Sequence, residues 1–230
     1  MKIIWLGHSG FRIEIGDAVL LVDPWLTGNP MFDESRRAEA IDGATHILLS
    51  HGHFDHAADA VAIAKERGIP IAGIFDLMSF WEKEHGLDVV GFNKGGTIHL
   101  GDVAVTMVNA SHSSSFGGPH GPVYAGGEAG YMIESGGRTI YFSGDTDVMA
   151  DMAIFQALHS PEIGILCAGG HFTMDMRRAA YAAKTFFDFK TVIPCHYRTF
   201  PLLEQSADTL KAGLPGVDVI EPEVLVPITL

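Results

Sequence analysis

Cysteine is nearly absent: Cys167 and Cys195 are the two thiols in 230 residues, so no disulfide framework holds this chain. Each closes an apolar run, and reduced thiols in a cytoplasmic protein are the expectation. Long hydrophobic runs are missing too. No stretch approaches the roughly 20 apolar residues that a membrane-spanning helix needs, and Met1–Trp5 gives way to Gly7-His8-Ser9 too early for an export signal. Basic residues are scarce: 15 Lys and Arg stand against 28 Asp and Glu, a net charge of −13. Only the pairs Arg36-Arg37 and Arg177-Arg178 break the scarcity, and a surface of this sign repels phosphate backbones, which argues against nucleic acid as the partner. With 47% hydrophobic and 19% charged residues, the chain is neither disordered nor a polar solenoid.

What is present is a repeating pattern of short strands followed by β/α units. Lys2–Leu6, Phe11–Ile15 and Ala18–Val22 read as an antiparallel meander, and a polar loop then runs from Asp23-Pro24-Trp25 to about Gly43. Thr45–Leu49 is a strand apolar enough to be buried on both faces. A helix follows over Asp55–Arg67 and stops at Gly68, then a strand over Ile69–Ile74 and a helix over Asp76–His85. Val89–Phe92, Thr97–Leu100 and Val103–Asn109 return to strands. Ser111–Gly130 reads as a long Gly-rich loop, a length that points to function. Tyr131–Glu134 and Thr139–Ser143 form a hairpin around Gly136-Gly137, followed by a helix near Val148–Leu158. Strands over Ile163–Cys167 and Thr191–Pro194 alternate with helices over Asp175–Phe187 and Pro201–Ala212, and Val217–Ile220 closes as a last strand. Each half therefore runs from meander into β/α units. That pattern suits an α/β (α+β) fold of two packed mixed sheets with helices outside, a four-layer αββα sandwich. No linker divides it, so residues 1–230 are expected to form one domain.

The densest chemistry lies in Ser50-His51-Gly52-His53-Phe54-Asp55-His56, directly after the apolar Ile47-Leu48-Leu49. An N-cap for the next helix needs only Asp55; the crowd of imidazoles beside it is a metal-site signal. His51 and His53, two apart on a loop, can share one metal, while Asp55 and His56 face a second, about 3.5–4 Å away in two-metal sites. Three more candidates sit just past strand ends, where α/β architectures collect site residues: His112, Asp145 and His196.

In these residues the chain resembles the metallo-β-lactamase superfamily, whose HxHxDH motif reads here as His51 to His56. The family order continues with a single His, an Asp and a last His, which correspond to His112, Asp145 and His196. The resemblance implies that His51, His53 and His112 hold one metal, that Asp55, His56 and His196 hold the other, and that Asp145 bridges them. A finer resemblance is to small metal-dependent hydrolases related to ascorbate-6-phosphate lactonase. It is carried by Trp5-Leu6-Gly7-His8-Ser9, His112-Ser113-Ser114, Phe172-Thr173-Met174 and His196-Tyr197-Arg198-Thr199-Phe200-Pro201.

The expected cofactors are two divalent ions, Zn2+ first, with Mn2+, Fe2+ or Ni2+ compatible with the same N and O donors. Such a pair brings the pKa of water from 15.7 toward about 7 and polarises a carbonyl or phosphoryl oxygen. The expected reaction is direct hydrolysis of a small ester, lactone, amide or phosphoester without a covalent enzyme intermediate, with Asp55 orienting the attacking hydroxide. His8 is expected to line the site as an acid or oxyanion donor, and Asp23 is either a turn residue or a partner of a metal-bound imidazole. His171 stands where an acidic residue is more usual in the group. It is a candidate substrate contact with Tyr197 and Arg198, the last as a bidentate anion binder. His120 reaches the site only if its loop folds over. His46, His85, His99 and His159 match no pattern. The expected partner is a small molecule, with a homo-oligomer left open. The rival readings are a redox di-iron protein, disfavoured by His53 and His56 where that branch has a carboxylate and no terminal ligand, a nuclease, disfavoured by charge, and a metal-binding module without turnover.

Overall fold

The computed structural model describes residues 1–230. The first half contributes β1 (Lys2–Gly7), β2 (Gly10–Ile15), β3 (Ala18–Val22), β4 (His46–Leu49), β5 (Ile71–Ile74) and β6 (Val89–Phe92). Its helices are α1 (Arg37–Ile41), α2 (Phe54–Ala57), α3 (Ala60–Arg67) and α4 (Phe75–His85). The second half contributes β7 (Thr97–Leu100), β8 (Val103–Asn109), β9 (Ser115–Gly118), β10 (Gly121–Tyr124), β11 (Ala129–Ser135), β12 (Arg138–Phe142), β13 (Ile163–Cys167), β14 (Thr191–Cys195), β15 (Asp218–Val219) and β16 (Pro227–Thr229). Its helices are α5 (Met152–His159), α6 (Met176–Phe186) and α7 (Asp208–Gly213).

The strands form two mixed seven-stranded sheets, ordered β16-β1-β2-β3-β4-β5-β6 and β15-β14-β13-β12-β11-β8-β7. Each half repeats one plan. Antiparallel pairs (β1 with β2, β2 with β3; β7 with β8, β8 with β11, β11 with β12) give way to parallel ones (β3 with β4, β4 with β5; β12 with β13, β13 with β14). The parallel strands β5, β13 and β14 are buried along their whole length, because helices cover one face of each sheet and the opposite sheet covers the other. Phe11 of the first sheet meets Phe142 of the second edge-on at 6.2 Å, and one core cluster of 67 buried residues spans both. The four-layer αββα expectation is met.

Four expectations change. The helix over Asp55–Arg67 is broken into α2 and α3, because Asp59 at the break accepts hydrogen bonds from Leu26 N (2.7 Å), Thr27 N (2.8 Å) and Thr27 Oγ1 (2.7 Å) and straps the 26–27 loop down. The helix over Pro201–Ala212 shrinks to α7. Residues 201–206 instead spend backbone groups on their neighbours, Glu204 N donating to Gly169 O and Arg198 N to Glu204 O, both at 2.8 Å. Val217–Ile220 contains the short β15 but does not close the fold; β16 follows and pairs antiparallel with β1 in the other sheet. Finally, Ser111–Gly130 is no plain loop, since β9 and β10 pair as a hairpin within it.

Candidate metal centre

The ends of six strands from both sheets converge. His8 follows β1, Asp23 follows β3, and His51 and His53 follow β4, with Asp55 and His56 on α2; His112 follows β8, Asp145 follows β12 and His196 follows β14. Three of these residues, His8 (φ 52°), Asp23 (φ 46°) and His196 (φ 57°), hold a left-handed backbone that side chains rarely adopt. Such geometry costs about 1–3 kcal/mol each and persists only where the surroundings enforce it. Here it turns the chain sharply out of the strand and aims each side chain inward.

Two groups of donors form among the expected residues and His8, and a third joins Asp23 to His51 and His56. The ligand-capable atoms of His51, His53 and His112 lie within 4.8 Å of one another, and so do those of His8, Asp55, His56 and His196. Asp145 stands between the groups: its Oδ2 is 3.1 Å from His196 Nε2, 3.3 Å from His56 Nε2, 3.5 Å from His112 Nε2 and 4.0 Å from His51 Nε2. All seven residues expected to bind metal are thus brought together.

The buried carboxylate of Asp23 holds His56 directly, and His51 through Ser50, from behind the cluster. It accepts from His56 Nδ1 at 2.7 Å and from Ser50 N at 2.7 Å, and it also holds the Ser50 hydroxyl. That hydroxyl lies 2.9 Å from His51 Nδ1. With both Nδ1 atoms occupied, His51 and His56 turn Nε2 toward the cluster. Of the two roles open for Asp23, it fills both, the turn and the imidazole partner.

His56 Nε2, Asp145 Oδ1 and His196 Nδ1 are buried without a hydrogen-bond partner. Orphaned groups of this kind are rare because each costs about 1–3 kcal/mol. An unpaired imidazole nitrogen, His56 Nε2, lying 3.3 Å from the Asp145 carboxylate among further imidazoles, fits a divalent cation. Electrostatics agree. Burial opposes ionisation of Asp145, yet His196 and His56 hold its pKa well below the usual range. Burial also opposes charge on His56, yet Asp145, Asp55 and Asp23 hold its pKa well above normal, and Asp145 does the same for His196, raised to about 9. His51 is driven well below normal by burial and by His56, which keeps its nitrogen lone pair available. The site therefore balances its carboxylates with protons that a cation can displace.

His8 departs from expectation. It is fully buried and absent from the cavity wall, because the turn at Gly7-His8 tucks its ring 4.0 Å from that of His196. Burial, then His196, depresses its pKa to about 4. The neutral ring donates from Nε2 to Asp55 Oδ2 at 3.0 Å, which leaves Nδ1 to accept from Thr199 Oγ1 at 2.7 Å. His8 thus contacts Asp55 from behind the cavity wall without bordering the cavity itself.

A cavity of about 880 Å3 opens on the cluster, with His53, Asp55, His112, Asp145 and His196 on its floor. Its walls come from α2 and α3 (Phe54, Val61), α4 (Trp81, His85), the β9–β10 hairpin (Phe116, Pro122) and the loops bearing Phe172, Phe200 and Leu202. The hairpin borders the site, although His120 at its exposed tip is not in the wall. His85, which matches no sequence pattern, is in the wall. The three candidate substrate contacts are not brought there. Tyr197 is buried under Trp5, rings 5.8 Å apart. Arg198 lies over the Tyr197 ring, and exposed His171 borders other hollows.

Glycines let backbones close around the candidate ligands at two points. A Cβ on Gly52 would meet Ala125 Cβ at 2.6 Å, so the motif loop fits against the hairpin root only as glycine; a Cβ on Gly169 would lie 1.7 Å from the carbonyl oxygen of His196. Gly169→Ala must therefore displace the His196 backbone. The expected result is a loss of about 3 kcal/mol, the upper end of the usual cost of overpacking, with reduced metal content, read by thermal melting and elemental analysis. Gly117→Ala, where the added Cβ meets nothing within 4 Å, serves as the neutral control.

A family profile described as "Beta-lactamase superfamily domain" matches residues 2–196. A protein of Dinoroseobacter shibae described as a UPF0173 metal-dependent hydrolase is 70% identical over 230 residues, all of both chains. A Paracoccus denitrificans protein of the same description is 67% identical, again over all of both chains. Among solved structures, Igni18, a metallo hydrolase from Ignicoccus hospitalis, superposes with a TM-score of 0.86 at 29% identity, covering 100% of this chain and 98% of that one. The chain belongs to the β-lactamase superfamily, in the family of the UPF0173 metal-dependent hydrolases.

Proposed function

We propose that the cluster holds two divalent cations, Zn2+ foremost, and that the protein hydrolyses a small-molecule substrate at an ester, lactone, amide or phosphoester bond. The observation that carries this reading is Asp145 Oδ2, within 4.0 Å of four imidazole Nε2 atoms drawn from both donor groups. In this reading His51, His53 and His112 hold one cation, Asp55, His56 and His196 hold the other, and Asp145 serves both. The cations supply a water acidified toward neutrality and an electrophile for the substrate oxygen.

The residues do the rest. Burial opposes charge on Asp55, but His56, His196 and His8 outweigh it and keep the carboxylate ionised. Bordering the cavity, it is placed to accept the hydrogen bond of the attacking water, while His8 fixes its orientation. Residues 1–230 would act as one domain in the cytoplasm. The shared core of both sheets, the two buried free cysteines and the lack of any helix long and apolar enough to cross a membrane support that placement.

Elemental analysis of the purified protein, combined with an ester, lactone, amide and phosphoester panel, tests the reading. Activity that persists after complete chelation would overturn it. Protons supply a second readout. His56 and His196 have raised pKa values, that of His196 about 9, so both carry protons at pH 7 in the metal-free protein. Zn2+ uptake at pH 7 is expected to release roughly two protons, and affinity should climb as pH rises toward about 9. Calorimetry in buffers of different ionisation enthalpy measures the release; uptake without it would contradict the ligand assignment.

A further inference from the structure

The cavity wall holds serines, histidines, carboxylates and apolar side chains. Lys and Arg are absent from it, and the nearby cations are engaged elsewhere. Arg178 Nη1 binds Asp147 Oδ2 at 2.6 Å, Lys94 Nζ binds Asn109 Oδ1 at 2.8 Å, and Arg198 lies over Tyr197. A phosphate or carboxylate remote from the scissile bond would find no fork of donors and no point charge to offset its desolvation.

The wall is instead aromatic and held in shape. Phe116 stacks on Phe80 at 5.1 Å, which docks the β9–β10 hairpin on α4. Trp25 supports Phe54 at 5.6 Å and Phe200 at 6.1 Å from beneath. Phe54 and Phe172 nevertheless remain 65% and 51% exposed, and both line the cavity. Rings that brace one another lose little freedom when a ligand covers them. The volume, about 880 Å3, lies in the upper part of the roughly 300–1,000 Å3 range of small-molecule pockets. An acetyl group would leave most of it empty. Ser113, Ser115 and His85 supply the few polar groups such a pocket uses for orientation.

We propose that this cavity selects an uncharged acyl compound, an ester or lactone bearing a bulky apolar group, and rejects phosphorylated or otherwise anionic substrates. The proposal rests on the hydrolase reading above. The reaction adds water across the acyl C–O bond: the water oxygen bonds to the carbonyl carbon and the bond to the alkoxy oxygen breaks. One proton goes to the released alcohol, and the acid formed loses another to solvent.

The test uses the metal-loaded protein with p-nitrophenyl acetate, butyrate and octanoate beside p-nitrophenyl phosphate. Binding of acetohydroxamate, butyrohydroxamate and octanohydroxamate is measured in parallel; the metal-binding head is constant there, so differences report the wall. Each fully buried methylene is worth up to about fourfold, so kcat/KM and hydroxamate affinity should both rise at least about tenfold from the two-carbon to the eight-carbon member. The phosphate should be the poorest substrate. Trp81→Ala, with Phe116→Ala as the alternative if the first fails to fold, should reduce the octanoyl-to-acetyl ratio about tenfold in both readouts. Flat series in both, or a preference for the phosphate, would overturn the proposal. A steep hydroxamate series in a protein that cleaves no ester would overturn the hydrolase reading while leaving the apolar selectivity of the cavity standing.

Discussion

Asp145→Asn should reduce kcat/KM by about 10³-fold or more while leaving the fold in place. The Oδ2 of Asp145 lies 3.1–4.0 Å from four imidazole Nε2 atoms drawn from both donor groups. The amide keeps the shape and can offer one neutral oxygen, but it removes the negative charge that offsets buried cations. Metal chemistry contributes several kcal/mol of transition-state stabilisation, and each 1.36 kcal/mol is tenfold in rate, which sets the size of the expected loss. Elemental analysis should show lower metal occupancy, and far-UV circular dichroism should be unchanged. Wild-type turnover in Asp145→Asn with full metal content would remove Asp145 from the site.

The second large effect is expected away from the cavity. Asp23→Ala leaves the His56 Nδ1–H, the Ser50 N–H and the Ser50 hydroxyl without their acceptor, all inside a region closed to water. Removing one partner of a buried charged network typically costs about 3–5 kcal/mol, and orphaned donors cost about 1–3 kcal/mol each. For a chain of this size that corresponds to a melting temperature lower by about 10 °C. His51 loses its alignment too, because Asp23 orients it through Ser50. Metal affinity should therefore fall about 10- to 100-fold, the usual consequence of deleting a ligand's outer partner. Thermal melting of the metal-free protein and a competitive chelator titration separate the two effects. A variant that melts and binds like the wild type would show that Asp23 is only a turn residue.

The part of this architecture legible in the sequence is the part built by local rules. Alternation marks β1–β3, Gly68 and Gly86 close α3 and α4 in left-handed caps, and continuous apolar runs mark the buried parallel strands. The candidate ligands are legible for a different reason: they are chemically unusual side chains at strand ends, so type and order alone pick out the residues that the fold brings together. Long-range competition defeated the remaining readings. Leu202, Leu203, Glu204 and Gln205 suit a helix by propensity, but tertiary hydrogen bonds to Gly169 and Arg198 claim that backbone. Ser115–Tyr124 lacks a hydrophobic alternation, and its hairpin is secured instead by cross-strand bonds and by Phe116 on Phe80. The cavity wall was hidden because five separate segments each contribute one or two ordinary apolar residues. His85 and Trp81, a helical turn apart on α4, carry no local mark of the role.

The convergence of strand ends from both sheets also bears on the order in which the molecule can be assembled. The motif from His51 to His56 emerges early in synthesis, yet Asp145 and His196 follow β12 and β14 in the second sheet. The complete donor set exists only after those distant parallel pairings have closed, a late event for contacts of such sequence separation. A nascent chain therefore presents a partial chelate, and capture of a cation by the full set is deferred until both sheets have docked.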